Sequence, residues 1–116
     1  MKVTREVDIF QCPVSTKYCF RPLRTVKDGI AGININDYVR VWNGIVKLNI
    51  SEQAPETNVQ QAICEYCFDR FQDGRDKTFF GRSLSVSDIV DVKISGVHHY
   101  YYCDTIGFKL IDIQNV

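Results

Sequence analysis

The most conspicuous candidate chemistry in the chain is a serine-rich segment that ends in an aspartate. It contains Ser83, Ser85, Ser87 and Asp88. A serine beside a carboxylate could act as a nucleophile with its base, but the G-x-S-x-G turn that exposes such a nucleophile is missing from this segment. Small polar side chains ahead of a strand also form turns by hydrogen bonding to the nearby backbone. We therefore predict a tight turn that Asp88 caps or braces.

Two cysteines at CxxC spacing raise the questions of zinc binding and redox chemistry. Cys64 and Cys67 fall in the middle of a predicted helix. A structural zinc takes four ligands, and no second pair at ligand spacing accompanies this one. A redox thiol is favoured at a helix N-terminus. The five cysteines follow no apolar signal segment, which favours free, mostly buried thiols in the cytoplasm. A metal- or thiol-dependent enzyme is the alternative, and we predict no cofactor.

A group of basic and aromatic residues after the predicted helix is a candidate binding surface. Its members are Arg75, Lys77, Phe79, Phe80 and Arg82. Basic and aromatic side chains together can hold single-stranded nucleic acid. Interleaved aspartates cancel much of this positive charge, and the formal net charge of the chain is zero. A simply solvated loop is the first interpretation of this cluster, a protein interface is the second, and a nucleic-acid site is the third.

Two histidines lead into a run of tyrosines. Successive side chains of a strand point to opposite faces, so His98 and His99 cannot act as adjacent ligands. A catalytic histidine would also need an acid or nucleophile in reach. Tyrosine and tryptophan carry much of the energy of protein interfaces, although they also fill small cores. We expect some tyrosine and Trp42 to stay partly exposed, and the candidate partner-binding residues here are Trp42, His99, Tyr100 and Tyr102.

The alternation of apolar and polar residues predicts the elements that position these groups. We expect a strand over residues 5–11 with Val7 and Ile9 facing inward, and a β-hairpin over 37–48 with a type I′ turn at Asn43-Gly44. Further strands are expected over 89–94, 97–103 and 108–113, with a turn at Ser95-Gly96 between the first two. A helix is expected from Thr57 or Asn58 to Gln72, with a cap at Gly74. Its predicted buried face contains Val59, Ala62, Ile63, Tyr66, Cys67 and Phe71. The fold class is therefore α+β, an antiparallel sheet of five to six strands packed on one main helix.

Several of these segments together resemble the YodL-like domain family. The resemblance rests on Gly81–Val90, which reads GRSLSVSDIV, followed by Tyr101–Asp104, which reads YYCD, and by Gly107-Phe108. The stretch Tyr38–Gly44, YVRVWNG, is similar to a further family motif, and Asn58–Phe71 stands where the family has its helix. The resemblance covers residues 37–113 of a single domain over 1–116, and residues 1–36 match no motif.

The resemblance implies an interaction protein with no catalytic residues. Members are small accessory domains on conjugative elements and phages of Gram-positive bacteria. Small proteins of such elements often inhibit host defence nucleases, so anti-CRISPR or anti-restriction activity by stoichiometric binding is the expected function. A nucleic-acid-binding accessory protein is the alternative. No apolar run approaches the roughly 20 residues of a membrane helix, so we expect a cytoplasmic protein with a protein partner and no membrane association.

Overall fold

The structure is a computed structural model, and it describes residues 2–16, 19–26, 33–72 and 81–111. Within these residues the chain forms one five-stranded antiparallel sheet and one α-helix, which confirms the predicted α+β class with five strands. The elements are β1 (Lys2–Gln11), β2 (Val39–Asn49), α1 (Glu56–Arg70), β3 (Ile89–Lys93), β4 (Tyr100–Cys103) and β5 (Phe108–Ile111). The strand order across the sheet is β2-β1-β3-β4-β5.

The predicted hairpin at Asn43-Gly44 is wrong, because Val39–Asn49 is one uninterrupted strand. Asn43 pairs with Asp8 and Gly44 pairs with Val7, so both residues lie inside the ladder with β1. The ten residues of β1 offer a partner along nearly all of β2. Gly44 instead makes room for a side chain, since a Cβ placed there would lie 2.4 Å from the ring of Trp42.

The tight hairpin of this fold lies between β3 and β4. Ser95 and Gly96 both have positive φ, 50° and 80°, as a type I′ turn requires. The two flanking residues, Ile94 and Val97, exchange backbone hydrogen bonds of 3.0 and 2.8 Å. This confirms the predicted turn at Ser95-Gly96. It also fixes which residues of β3 and β4 lie side by side.

The helix packs on one face of the sheet and differs in detail from the prediction. It begins at Glu56 after Pro55, whose side chain makes no capping bond, and not after a Thr57 or Asn58 cap. Tyr66 is 38% exposed and not buried, because the buried stripe of the helix includes Gln60 and Cys64 and is rotated away from Tyr66. That stripe contains Val59, Gln60, Ile63, Cys64 and Cys67. Gly74, the predicted cap, lies outside the described residues.

The described residues cover the second face of the sheet over only part of its width. Side chains from the segment between β1 and β2, such as Val26, Ile33 and Tyr38, pack on Ile89 and Tyr102. These contacts form a second buried cluster, separate from the core under α1. The rest of this face lies on the part of β1 and β3 where Glu6 pairs with Lys93 and Asp8 pairs with Asp91. It carries polar side chains, and it contains the candidate site.

Candidate functional site on the open part of the sheet

The uncovered part of the second sheet face carries a connected set of polar side chains, which we call the polar face. Register places four residues in one row across the sheet, with Asp8 between Asn43 and Asp91, and Asp91 beside Tyr100. Glu6 and Lys93 form the next row. The polar face consists of Glu6, Asp8, Asn43, Asp91, Lys93, His98 and Tyr100.

Lys93 links the carboxylates of β1. Its Nζ lies 2.8 Å from Oε1 of Glu6 and 2.9 Å from Oδ2 of Asp8, while Asn43 Nδ2 donates to Asp8 Oδ1 at 2.6 Å. The hydrogen bond from Lys93 lowers the pKa of Glu6. Burial alone would lower the pKa of Lys93, but its bonds to Glu6 and Asp8 outweigh burial and raise it. The ammonium therefore stays charged and holds both carboxylates in place.

Asp91 fixes the position of a histidine at the surface. Its carboxylate is fully buried, with Oδ2 2.5 Å from Nδ1 of His98 and Oδ1 accepting from the backbone N–H of His99 at 3.1 Å. Burial raises the pKa of Asp91, and the contact with His98 works against that rise. The His98 ring also stacks on Tyr100, with ring centroids 5.3 Å apart and planes 5° apart. His98 is thus held on two sides, and within the described residues its Nε2 makes no hydrogen bond.

The sequence offered one unused signal for this pair. Asp91 lies between two valines, Val90 and Val92, and a buried carboxylate in a strand needs a partner. The two-residue turn at Ser95-Gly96 makes Tyr100 the cross-strand neighbour of Asp91. His98 lies two residues before Tyr100 and on the same face of the sheet, so its ring comes close to the Asp91 carboxylate. The aspartate of the pair could therefore have been found from the turn.

The predicted partner-binding residues are distributed over four environments. Four of them, Arg75, Lys77, Phe79 and Phe80, lie outside the described residues. Trp42 and Tyr102 are buried, at 7% and 0% exposure, so the expected exposure of Trp42 is wrong. Tyr100 is half-buried within the polar face, and Arg82 belongs to the serine-rich turn. His99 is half-buried on the other face of the sheet, opposite Val92 of the main core, and only its backbone N–H reaches Asp91.

Trp42 is buried because it fills a space in the main core. Its ring centroid lies 5.0 Å from that of Phe71, and the Arg70 guanidinium lies 5.4 Å from the Trp42 ring. Tyr102 is buried in the second cluster, where its hydroxyl donates to the Arg21 carbonyl at 2.6 Å. Both aromatic residues therefore fill the core, which was the alternative to an interface role for tyrosine and tryptophan.

Asp88 braces the serine-rich turn, as predicted. Its fully buried carboxylate accepts from the Ser85 backbone N–H at 2.8 Å, from Gln11 Nε2 at 3.0 Å and from Arg82 Nη2 at 3.2 Å. Burial raises the pKa of Asp88 to about 6 against the opposing effect of these three donors. The turn is therefore held by a carboxylate that also ties it to the end of β1.

Ser87 has a structural role in the same turn. Its Oγ accepts from the Phe20 backbone N–H at 2.8 Å, and its carbonyl accepts from the Tyr38 hydroxyl at 2.7 Å. Its φ of 85° is a strained value for a serine, and these bonds hold it there. The hydroxyl that could have been a nucleophile is thus used to attach the N-terminal segment to the sheet.

The cysteines of the CxxC lie on the buried face of α1. Cys64 and Cys67 are both fully buried, and burial raises the pKa of Cys67 to about 12 and that of Cys64 well above its usual value. Both thiols are protonated near neutral pH, which is unfavourable for nucleophilic chemistry. Within the described part of the chain, no three His, Cys, Asp or Glu side chains are grouped so as to hold a metal ion.

A concave surface lies between α1 and the β4–β5 hairpin. It is a cleft of about 340 Å³ whose lining includes Glu65, Phe68, Asp69, Asp104 and Phe108. The two phenylalanine rings meet edge to face with centroids 6.3 Å apart. The cleft contains none of the residues predicted to bind a partner, and the polar face remains the better candidate site because its groups are fixed by mutual contacts.

Comparison with known proteins identifies the family. The model of the YodL-like domain matches residues 6–113, so the match begins well before the motifs at 37–113 and takes in most of the N-terminal segment. Searches among curated proteins and among solved structures gave no match. In the described residues, no helix has the length and apolar character needed to cross a membrane. With the family model matching nearly its whole length, the chain belongs to the YodL-like domain family.

Proposed function

We propose that this chain is a non-enzymatic interaction module that binds a protein partner through the polar face. The observation that supports the proposal is the fixed geometry of Asp91, His98 and Tyr100 at an uncovered part of the sheet. A side chain that is already held in position loses little freedom on binding, so such a surface binds at a lower entropic cost. The half-buried tyrosine adds the kind of side chain that contributes strongly at interfaces.

The charge of the polar face selects the chemistry of the partner. Glu6, Asp8 and Asp91 supply three carboxylates against the single ammonium of Lys93, so negative charge is in excess when His98 is neutral. Such a surface repels phosphates and attracts a basic protein surface. This argues against the nucleic-acid-binding alternative.

A nuclease is the partner that best fits this charge. The channel in which a nuclease holds nucleic acid is basic, because it must neutralise phosphates. A host defence nuclease also agrees with the mobile-element setting that the family resemblance implies. We therefore propose stoichiometric inhibition of such an enzyme, of the anti-CRISPR or anti-restriction kind, in the cytoplasm of a bacterial host.

The test compares two charge reversals in a pull-down from a Gram-positive bacterial lysate. Glu6→Lys changes an exposed carboxylate of the polar face, and Glu52→Lys makes the same change at an exposed position before α1. We expect the native chain and Glu52→Lys to capture the same nuclease, and Glu6→Lys to capture at least about tenfold less. Equal capture by all three proteins would contradict binding through the polar face.

The contact between Asp91 and His98 favours a second candidate function. A histidine held by a buried carboxylate is the arrangement of a general base. If His98 acts in catalysis, a trace of protein converts many equivalents of a substrate, and His98→Gln abolishes this turnover. A binding module acts only in proportion to its amount, so the dependence on protein concentration separates the two functions.

A further inference from the structure

We propose that the outer edge of β2 is a self-association surface, which pairs antiparallel with β2 of a second copy of this chain about a two-fold axis at Ile45. This surface adjoins the polar face at Asn43. The nuclease proposal does not require it. It would join two five-stranded sheets into one continuous sheet.

The edge of β2 is long and carries little that blocks strand pairing. Among the described residues its strand neighbour is β1 on one side, and the strand runs for eleven residues. It contains no proline, and its two charged residues are Arg40 and Lys47. Proteins usually protect such an edge with charges, prolines or bulges. Here the irregularity lies opposite Ile9 and Phe10, near one end, so β2 is regular from Trp42 to Asn49.

The register of the proposed strand pair is chosen so that apolar side chains lie opposite apolar side chains on each face of the joined sheet. In an antiparallel pair about an axis normal to the sheet, directly opposed residues share a face. Centring the axis on Ile45 opposes the two Ile45 side chains, which are each 53% exposed in one copy. It also opposes Trp42 to the partner's Leu48. Centring on Gly44 instead would set Ile45 against the partner's Asn43 and leave its apolar surface poorly covered.

Charge complementarity supports the same register. Centring on Ile45 places the partner's Lys47 opposite Asn43, in the row that continues to Asp8. Two strand spacings, about 10 Å, separate the backbone of that lysine from the backbone of β1. An extended lysine can cross this distance toward the exposed carboxylate of Glu6. In the same register Lys47 and Arg40 each oppose an uncharged residue, so no like charges are placed together.

A cysteine cross-link tests both the association and its register. Directly opposed residues of paired strands have Cβ atoms about 4.5–5.5 Å apart, close enough for a disulfide with slight adjustment. We expect Ile45→Cys to form a covalent dimer under mild oxidation. Lys47→Cys should not, because its opposite residue is Asn43. The native chain, treated in parallel, accounts for the five native cysteines.

Molecular mass in solution gives a second readout without cysteine chemistry. By sedimentation equilibrium at about 100 μM, well above the dissociation constant of a typical dimer, the native chain should have twice its mass of 13.4 kDa. Ile45→Lys should be a folded monomer, and Val97→Lys, a change at an equally exposed apolar residue elsewhere, should remain dimeric. A monomeric native chain, a dimeric Ile45→Lys, or cross-linking through Lys47→Cys in place of Ile45→Cys would overturn the proposal.

Discussion

The buried carboxylate of Asp88 makes a quantitative prediction about stability and pH. Its side chain is fully buried, and burial raises its pKa from 3.8 to about 6. A carboxyl with a raised pKa in the folded state binds its proton more tightly there than in the unfolded chain. Its contribution to stability is therefore fully present below pH 4 and is lost as the pH rises through about 6.

The expected size of this effect follows from the two pKa values. A shift of one pKa unit corresponds to about 1.4 kcal/mol. Between pH 4 and pH 7 most of the shift is expressed, so titration of Asp88 alone should lower the free energy of unfolding by roughly 2 kcal/mol. Asp88→Asn keeps the shape of the side chain and removes its titration. The difference in stability between the native chain and the variant should change by that amount over this range.

Urea unfolding at pH 4, 5, 6 and 7 measures this difference directly. Subtracting the variant from the native chain cancels the titration of the other acidic groups, provided that their environments are unchanged. The native chain should lose stability relative to Asp88→Asn as the pH rises. A difference that stays constant, or that moves in favour of the native chain toward pH 7, would refute the reasoning.

Three further predictions concern the core. Gly44→Ala should lower the free energy of unfolding by about 1–3 kcal/mol, because a methyl group there meets the ring of Trp42; urea denaturation checks this. Tyr101→Phe should cost about 1–3 kcal/mol in the same assay, since the Tyr101 hydroxyl donates to the buried Gln60 side chain, and no loss would mean that the bond is unimportant. Cys67 should resist alkylation in the folded chain and react after unfolding, as followed by mass spectrometry; rapid labelling without urea would contradict its burial.

Local patterns predicted much of the fold where turn chemistry and alternation agree. The turn at Ser95-Gly96, the brace at Asp88 and the inward side chains Val7 and Ile9 all follow from residue type and spacing, and the structure has each of them. These features depend on contacts close in sequence, or on which face of a strand is apolar.

The predictions that failed depend on contacts between distant segments. Asn43-Gly44 has the local chemistry of a hairpin, but the long strand β1 pairs across it and the space at Gly44 is taken by Trp42. Trp42 was expected to stay partly exposed because tryptophan is a common interface residue, and the sequence does not indicate that Phe71 packs against it. Tertiary packing overrides local preference at both positions.

The candidate site was only partly predictable for the same reason. Tyr100 was selected from a run of aromatic residues, whereas Asp8 and Lys93 had no distinguishing signal in strands of ordinary composition. Asp8 joins the polar face because β1 and β3 are adjacent in the sheet although more than 80 residues separate Asp8 from Lys93. Such adjacency is set by topology, which a single sequence does not give.

The most direct test of the central claim is a titration of the captured nuclease with the purified chain. If the polar face forms a stoichiometric complex, nuclease activity should fall in proportion to added protein and end at a fixed molar ratio, and Glu6→Lys should require far more protein for the same inhibition than Glu52→Lys. Equal inhibition by Glu6→Lys and the native chain, or loss of activity at a small fraction of one equivalent, would contradict the account.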